Sequence, residues 1–150
     1  MGTTPLPKGP EELTPALLTA ALRSTGTIRD SSVTSFDMKP DIAAGTGFMG
    51  QLAHVTLHYD GPEEGAPRTL IAKFPTPVPE NRQVAEIFRF YQVETSFYRE
   101  IASQVELRTP RVYYNAYDPA SGDFVLLIED LAPATCGDQV EGCTAEQAEL

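Results

Sequence analysis

The stretch that most constrains the fold is QLAHVTLHYDG, residues 51–61. In it Val55, Leu57 and Tyr59 alternate with His54, Thr56 and His58. A period of two puts the first set on one face of a β-strand and the second on the other. Directly before it stands GTGFMG, residues 45–50, and before that SSVTSFDMKP, which also reads as a strand. There Val33, Phe36 and Met38 are spaced less regularly than clean alternation requires. The glycines Gly45, Gly47 and Gly50 match G-x-G-x-x-G and therefore fall at the tip of a β-hairpin. Glycines at this spacing let backbone N–H groups come close to a phosphate. In a dinucleotide-binding βαβ unit the motif opens a helix, whose N-terminus holds the pyrophosphate. Here a strand follows instead, which argues against a dinucleotide-binding oxidoreductase. Two readings stay open: a hairpin whose glycines serve only the turn, and a hairpin that covers nucleotide phosphates.

The rest of the chain builds on that hairpin. DGPEEGAP is a turn signature and RTLIAKFP a second strand, so another hairpin follows at once. From Glu80 to about Val105 the pattern is that of one long helix, with Ile87, Phe90, Tyr91, Phe97, Tyr98 and Ile101 recurring at threes and fours. TPRVYYNAYDPASGDFVLLIEDL gives two more strands around DPASGD, with Tyr113, Tyr114 and Tyr117 as strand packing. Near the N-terminus, LTPALLTAALRST reads as a short helix capped by Thr14, opened by Pro15 and ended at Gly26. Residues 1–12 are rich in Pro and Gly and are expected to be disordered. Thr144 and Gln147 match a capping box and open a last helix. The expected fold is α+β: a five-stranded, mainly antiparallel sheet, one long packed helix and an extra N-terminal helix.

Charge narrows the possible ligands. A formal net charge of −10 disfavours nucleic acid or an anionic membrane surface as partner. It does not exclude a small anion, because a cluster of N–H groups and one lysine can hold phosphate locally. The lysines are Lys8, Lys39 and Lys73. The longest apolar run, FVLLI, is too short to span a bilayer. MGTTPLPKGPEEL lacks the apolar centre of a secretory signal, so a cytoplasmic location is expected. Cys136 and Cys143 have no CxxC spacing and no histidine nearby in sequence; they read as reduced thiols rather than zinc ligands. His54 and His58 share a strand face but stand roughly 13 Å apart, too far to chelate one metal. They read as surface histidines, and Asp130 as a cap or a solvated group.

Lys73 lies two residues after Ile71 in TLIAKF, so both point to the same strand face. An ammonium within an apolar strand is costly unless paired. Either it faces water from an edge strand, or it is aimed at a ligand and held by a carboxylate. The helix offers one. Ile87, Tyr91, Phe97, Tyr98 and Ile101 lie at −7, −3, +3, +4 and +7 from Glu94, which puts Glu94 in the middle of the apolar stripe. A buried carboxylate there needs a cation, and Lys73 is the nearest candidate in the pattern. Glu86 and Glu100 fall on another face and read as solvated.

With those residues in view, the segments GTGFMGQLAHVTLHYDG, LIAKFP, VETSFYREIA and FVLLIEDLAP resemble the N-terminal lobe of the aminoglycoside phosphotransferase and choline kinase-like superfamily. The resemblance is closest to the ecdysteroid kinase-like branch and its bacterial relatives, and it covers roughly residues 30–150. It implies a protein kinase-like N-lobe over residues 13–131, with 132–150 as linker and the start of a C-lobe helix. It implies that Gly45, Gly47, Phe48, Met49 and Gly50 cover the ATP phosphates. Lys73 would contact the α- and β-phosphates, and Glu94 would pair with it. The Glu129 carbonyl and the Leu131 N–H would bond the adenine edge. The implied reaction is phosphate transfer from ATP to a hydroxyl on a small molecule, with Mg²⁺ as cofactor. The family's catalytic aspartate and Mg²⁺ ligands sit in a second lobe. Neither H-x-D-x-x-x-x-N nor a D-F-G-like segment occurs in these 150 residues. Gly137-Asp138 follows Cys136 rather than His and reads as linker. The chain is thus expected to bind nucleotide and to be inactive alone, with a non-catalytic nucleotide-binding or interaction module as the alternative.

Overall fold

The structure, a computed structural model, describes residues 6–40, 49–134 and 140–149. Five strands form one antiparallel sheet: β1 (Val33–Pro40), β2 (Gly50–Tyr59), β3 (Thr69–Pro75), β4 (Val112–Tyr117) and β5 (Phe124–Glu129), in the order β1-β2-β3-β5-β4. The irregular spacing in β1 has a simple cause. The register slips between Val33 and Ser35, so two β1 residues oppose one on β2, and this bulge returns Phe36 and Met38 to the same face as Val33. A second slip in β4, between Val112 and Tyr114, turns both Tyr113 and Tyr114 toward that face.

That first face is covered by α1 (Pro15–Ser24). Thr14 caps the helix by accepting the Leu17 N–H at 3.1 Å, and Leu18, Ala21 and Leu22 are buried. Gly26, at φ +70°, ends it, as the Thr27 and Gly26 N–H groups turn back to the carbonyls of Leu22 and Arg23. Leu70, Ala72 and Phe74 of β3 point into this core and are fully buried. The described part of the N-terminal arm, residues 6–12, departs from the disorder expected of it. Pro10–Glu12 form a 3-10 turn, Pro7 and Pro10 are buried, and Leu6 and Leu13 join the core.

The second face carries the other helices. The single long helix expected over 80–105 is instead α2 (Pro79–Ile87), then α3 (Phe90–Ser96), then a π-helical turn (Phe97–Ile101) and a 3-10 turn (Ala102–Gln104). The break is at Arg89, whose φ of 55° is left-handed and ends the hydrogen-bond ladder. Restarting the helix there, and widening it at 97–101, changes the phase of the apolar stripe. Ile87, Phe90 and Ile101 are therefore exposed, at 69%, 42% and 49%, while Tyr91 is buried.

α3 packs on β4 and β5. The Tyr91 ring lies 4.7 Å from that of Phe124, and its hydroxyl accepts the Thr76 N–H at 3.0 Å. The buried Thr95 donates to the Tyr91 carbonyl, and Asn115 of β4 donates to the Thr95 carbonyl at 2.8 Å. At the other end, Arg82 of α2 reaches Asp123 at 2.7 Å and the Ser121 carbonyl at 2.9 Å. β5 lies beneath these contacts with its other side toward α1, so FVLLI is buried on both faces and reads as an unbroken apolar run. On the β2–β3 half of the second face, Leu52, His54, Thr56, Ile71 and Lys73 are only partly buried.

The last helix, α4 (Ala145–Ala148), begins with the expected capping box: Thr144 Oγ1 accepts the Gln147 N–H and Gln147 Oε1 accepts the Thr144 N–H. Among the described residues, no helix is long and apolar enough to cross a membrane.

Candidate functional site

Lys73 sits on β3, an interior strand. It faces Leu52 on β2 and Leu126 on β5 across the two ladders, so it is not an edge-strand lysine. Strand alternation sends it to the second face with Ile71, and α3 brings Glu94 over it. Lys73 Nζ donates to Glu94 Oε1. The pair is only partly buried, with side chains 25% and 31% exposed. The stripe expected around Glu94 is shortened: Tyr91 and Tyr98 still pack on the sheet, while Ile87 and Ile101 at its ends are exposed. The ammonium is thus oriented by one carboxylate yet still open to a ligand on its solvent side.

Of the glycine motif, Met49 and Gly50, at the start of β2, are described. Gly45, Gly47 and Phe48 lie outside the described residues. Met49 packs on the second-face cluster, and Gly50 opens β2 opposite Pro75. A Cβ at Gly50 would stand 3.0 Å from the Phe74 carbonyl oxygen, so this glycine has a packing reason of its own.

At the far end of the sheet, β5 ends at Glu129. The Glu129 N–H donates to the Arg111 carbonyl at 2.8 Å. Its carboxylate accepts the Arg111 N–H at 3.0 Å and pairs with Arg108 at 3.0 Å. Leu131 is exposed, and its carbonyl accepts the Ala134 N–H at 3.0 Å.

Sequence reasoning missed the polar cluster beside it. His54 Nε2 and Asp130 Oδ2 are 2.8 Å apart, and the Ala132 N–H donates to Asp130 Oδ1 at 3.0 Å. Burial pushes the Asp130 carboxyl up, but hydrogen bonds from the Ala132 N–H, His54 and Thr69 outweigh it and hold the group below its ordinary value. His58 makes a different pair, with Asp37 at 2.7 Å, well exposed on both sides. The available signal was strand parity. His54, Ile71 and Lys73 share a face, and Asp130 joins it once β5 is placed next to β3.

Away from the site, Glu86 pairs with Arg82 at 3.2 Å and Glu100 with Arg99 at 2.5 Å, both on the surface. Cys143 is a free, exposed thiol, and Cys136 lies outside the described residues. Clefts formed by described residues also lie elsewhere. One of about 740 Å³ is lined by Lys8, Gln51, Thr76 and Arg82. Another of about 530 Å³, between the N-terminal arm, α1 and β4, is lined by Leu6, Leu17 and Tyr114.

No protein family, curated protein or solved structure matches the chain.

Proposed function

We propose that this chain is the ATP-binding lobe of a small-molecule kinase, built like a protein kinase N-lobe. The observation that carries this is the ion pair of Lys73, on an interior strand, with Glu94, beside a half-open sheet face at whose edge Met49 and Gly50 open β2. A lysine with three donors, one of them committed to a carboxylate, is suited to triphosphate oxygens. The flat apolar surface of Leu52 and Ile71 suits a purine ring. Gly50 alone supports the reading less, since the closeness of the Phe74 carbonyl to a Cβ at this position already favours glycine.

In this reading the described residues bind and orient nucleotide. Lys73 offsets phosphate charge, and Glu94 keeps the ammonium in place when the site is empty of anion. The backbone around Glu129 and Leu131 meets the adenine edge. Mg²⁺ would neutralise phosphate charge during transfer; the resemblance places its ligands, and the base for the acceptor hydroxyl, outside these 150 residues. The acceptor is therefore an unspecified small-molecule alcohol.

Calorimetric titration of the chain with Mg-ATP, AMP and NAD tests the proposal. Saturable binding is expected in the order ATP over AMP, with NAD weaker than ATP. Preference for NAD, or no binding of ATP at millimolar concentration, refutes it.

A further inference from the structure

The His54–Asp130 bond links two strands to the chain that leaves the sheet. Asp130 follows Glu129, which pairs with Leu70, so Asp130 falls opposite Thr69 on the Lys73 face. Its carboxylate takes hydrogen bonds from three places: His54 on β2, Thr69 on β3 and the Ala132 N–H within its own segment. Its side chain is 12% exposed, while Leu131 to Ala134 are all exposed. The Ala134 N–H closes on the Leu131 carbonyl. The Leu131 backbone is therefore held between Asp130, fixed to the sheet, and a closed turn. His54 stands about 7 Å along the sheet from the level of Lys73, on the side away from Gly50.

We infer that His54 is a positioning residue for base recognition: through Asp130 it sets the backbone of residues 130–132 against the edge of a purine bound on the β2–β3 face. This rests on the nucleotide reading above. A purine edge is read by one or two backbone groups whose direction must be set to within tens of degrees. An exposed segment of four residues holds that direction only if it is anchored. His58 supplies an internal control. It lies on the same face of the same strand and bonds Asp37 of β1 instead of Asp130.

The test compares wild type, His54→Leu, His54→Gln and His58→Leu, each checked by thermal melting. The probes are ATP, GTP and inorganic tripolyphosphate. His54→Leu is expected to weaken ATP on the order of tenfold, to narrow the ATP-to-GTP ratio, and to leave tripolyphosphate unchanged. His54→Gln, which retains a donor at similar reach, restores most of the preference, and His58→Leu matches wild type. Asp130→Asn gives a second route should His54→Leu melt early, and it narrows the same ratio. If wild type binds ATP and the ratio is unmoved in both His54→Leu and Asp130→Asn, the inference is overturned while the nucleotide reading stands. Equal losses for ATP and tripolyphosphate also overturn it. If wild type binds no ATP, the nucleotide reading fails and the inference with it.

Discussion

Replacing Lys73 by methionine separates its two interactions, with Glu94 and with a ligand. Methionine keeps much of the apolar stem and removes the charge. In the free protein the lost partner is a carboxylate whose side chain is 31% exposed, against 25% for the lysine. A pair this open to solvent contributes about 0.2–1 kcal/mol to stability. At about 2–4 °C per kcal/mol for a chain of this size, the melting point should fall by less than about 4 °C. A bound triphosphate presents more negative charge to the same ammonium. At about 4 Å and an effective dielectric near 20, the Coulomb energy per unit charge is about 4 kcal/mol. Exchange with water reduces this to the net range for a charge-assisted hydrogen bond, about 1.5–3 kcal/mol. Affinity for ATP should therefore drop about 10- to 150-fold. Paired thermal melts and ATP titrations on wild type and variant read both numbers. An unchanged affinity in a folded variant refutes the role given to Lys73. A collapse of the fold refutes the claim that the pair is mainly a ligand device.

Other consequences follow from particular contacts. Gly50→Ala places a methyl 3.0 Å from a backbone oxygen in a paired strand, so it should destabilise the chain by about 1–3 kcal/mol in a denaturant titration, with or without nucleotide. Glu63 accepts the Ser31 hydroxyl at 2.6 Å and the Ser31 N–H at 2.9 Å, with further bonds from the Arg29 and Asp30 N–H groups, and these lower its pKa from 4.5 to about 2. A depressed folded pKa gives stability that is complete above pH 4.5 and lost as pH falls toward 2. Glu63→Gln should flatten that part of the acid slope in melts taken from pH 6 down to pH 3. Burial works against the charge of Arg82, and the Asp123 and Glu86 carboxylates more than restore it. Arg82→Ala leaves the nearly buried Asp123 carboxylate without its cation, costs about 2 kcal/mol, and should lower the melting point by about 4–8 °C.

What was readable in the sequence follows from periodicity. The strand period of two survives local irregularity, so β2 and the shared face of Ile71 and Lys73 could be placed from residues alone, and β5 showed as a short apolar run after the turn DPASGD. Even the uneven Val33, Phe36 and Met38 carried information: a bulge accounts for it. The helical stretch was harder. Apolar residues at threes and fours look the same whether a helix runs through or stops and restarts with a new phase. Nothing in IFRFYQ marks Arg89 for a left-handed backbone, a state that Gly or Asn would have announced. Lys73 and Glu94 still meet, because each needed only its own strand or turn to be right. His54 and Asp130 are 76 residues apart and meet only through the adjacency of β3 and β5, a tertiary fact that no local pattern encodes.

The central claim is that the β2–β3 half of the second face, with Lys73 at one end and Asp130 at the other, holds a nucleotide. Backbone amide NMR of the labelled chain during an ATP titration tests it most directly. The account predicts progressive shifts at Met49 to Leu52, Ile71 to Lys73, Glu94 and Asp130 to Ala132, with little change around α1. Shifts confined to the cleft of Leu6, Leu17 and Tyr114 on the opposite face, or no shifts at saturating ATP, would contradict it.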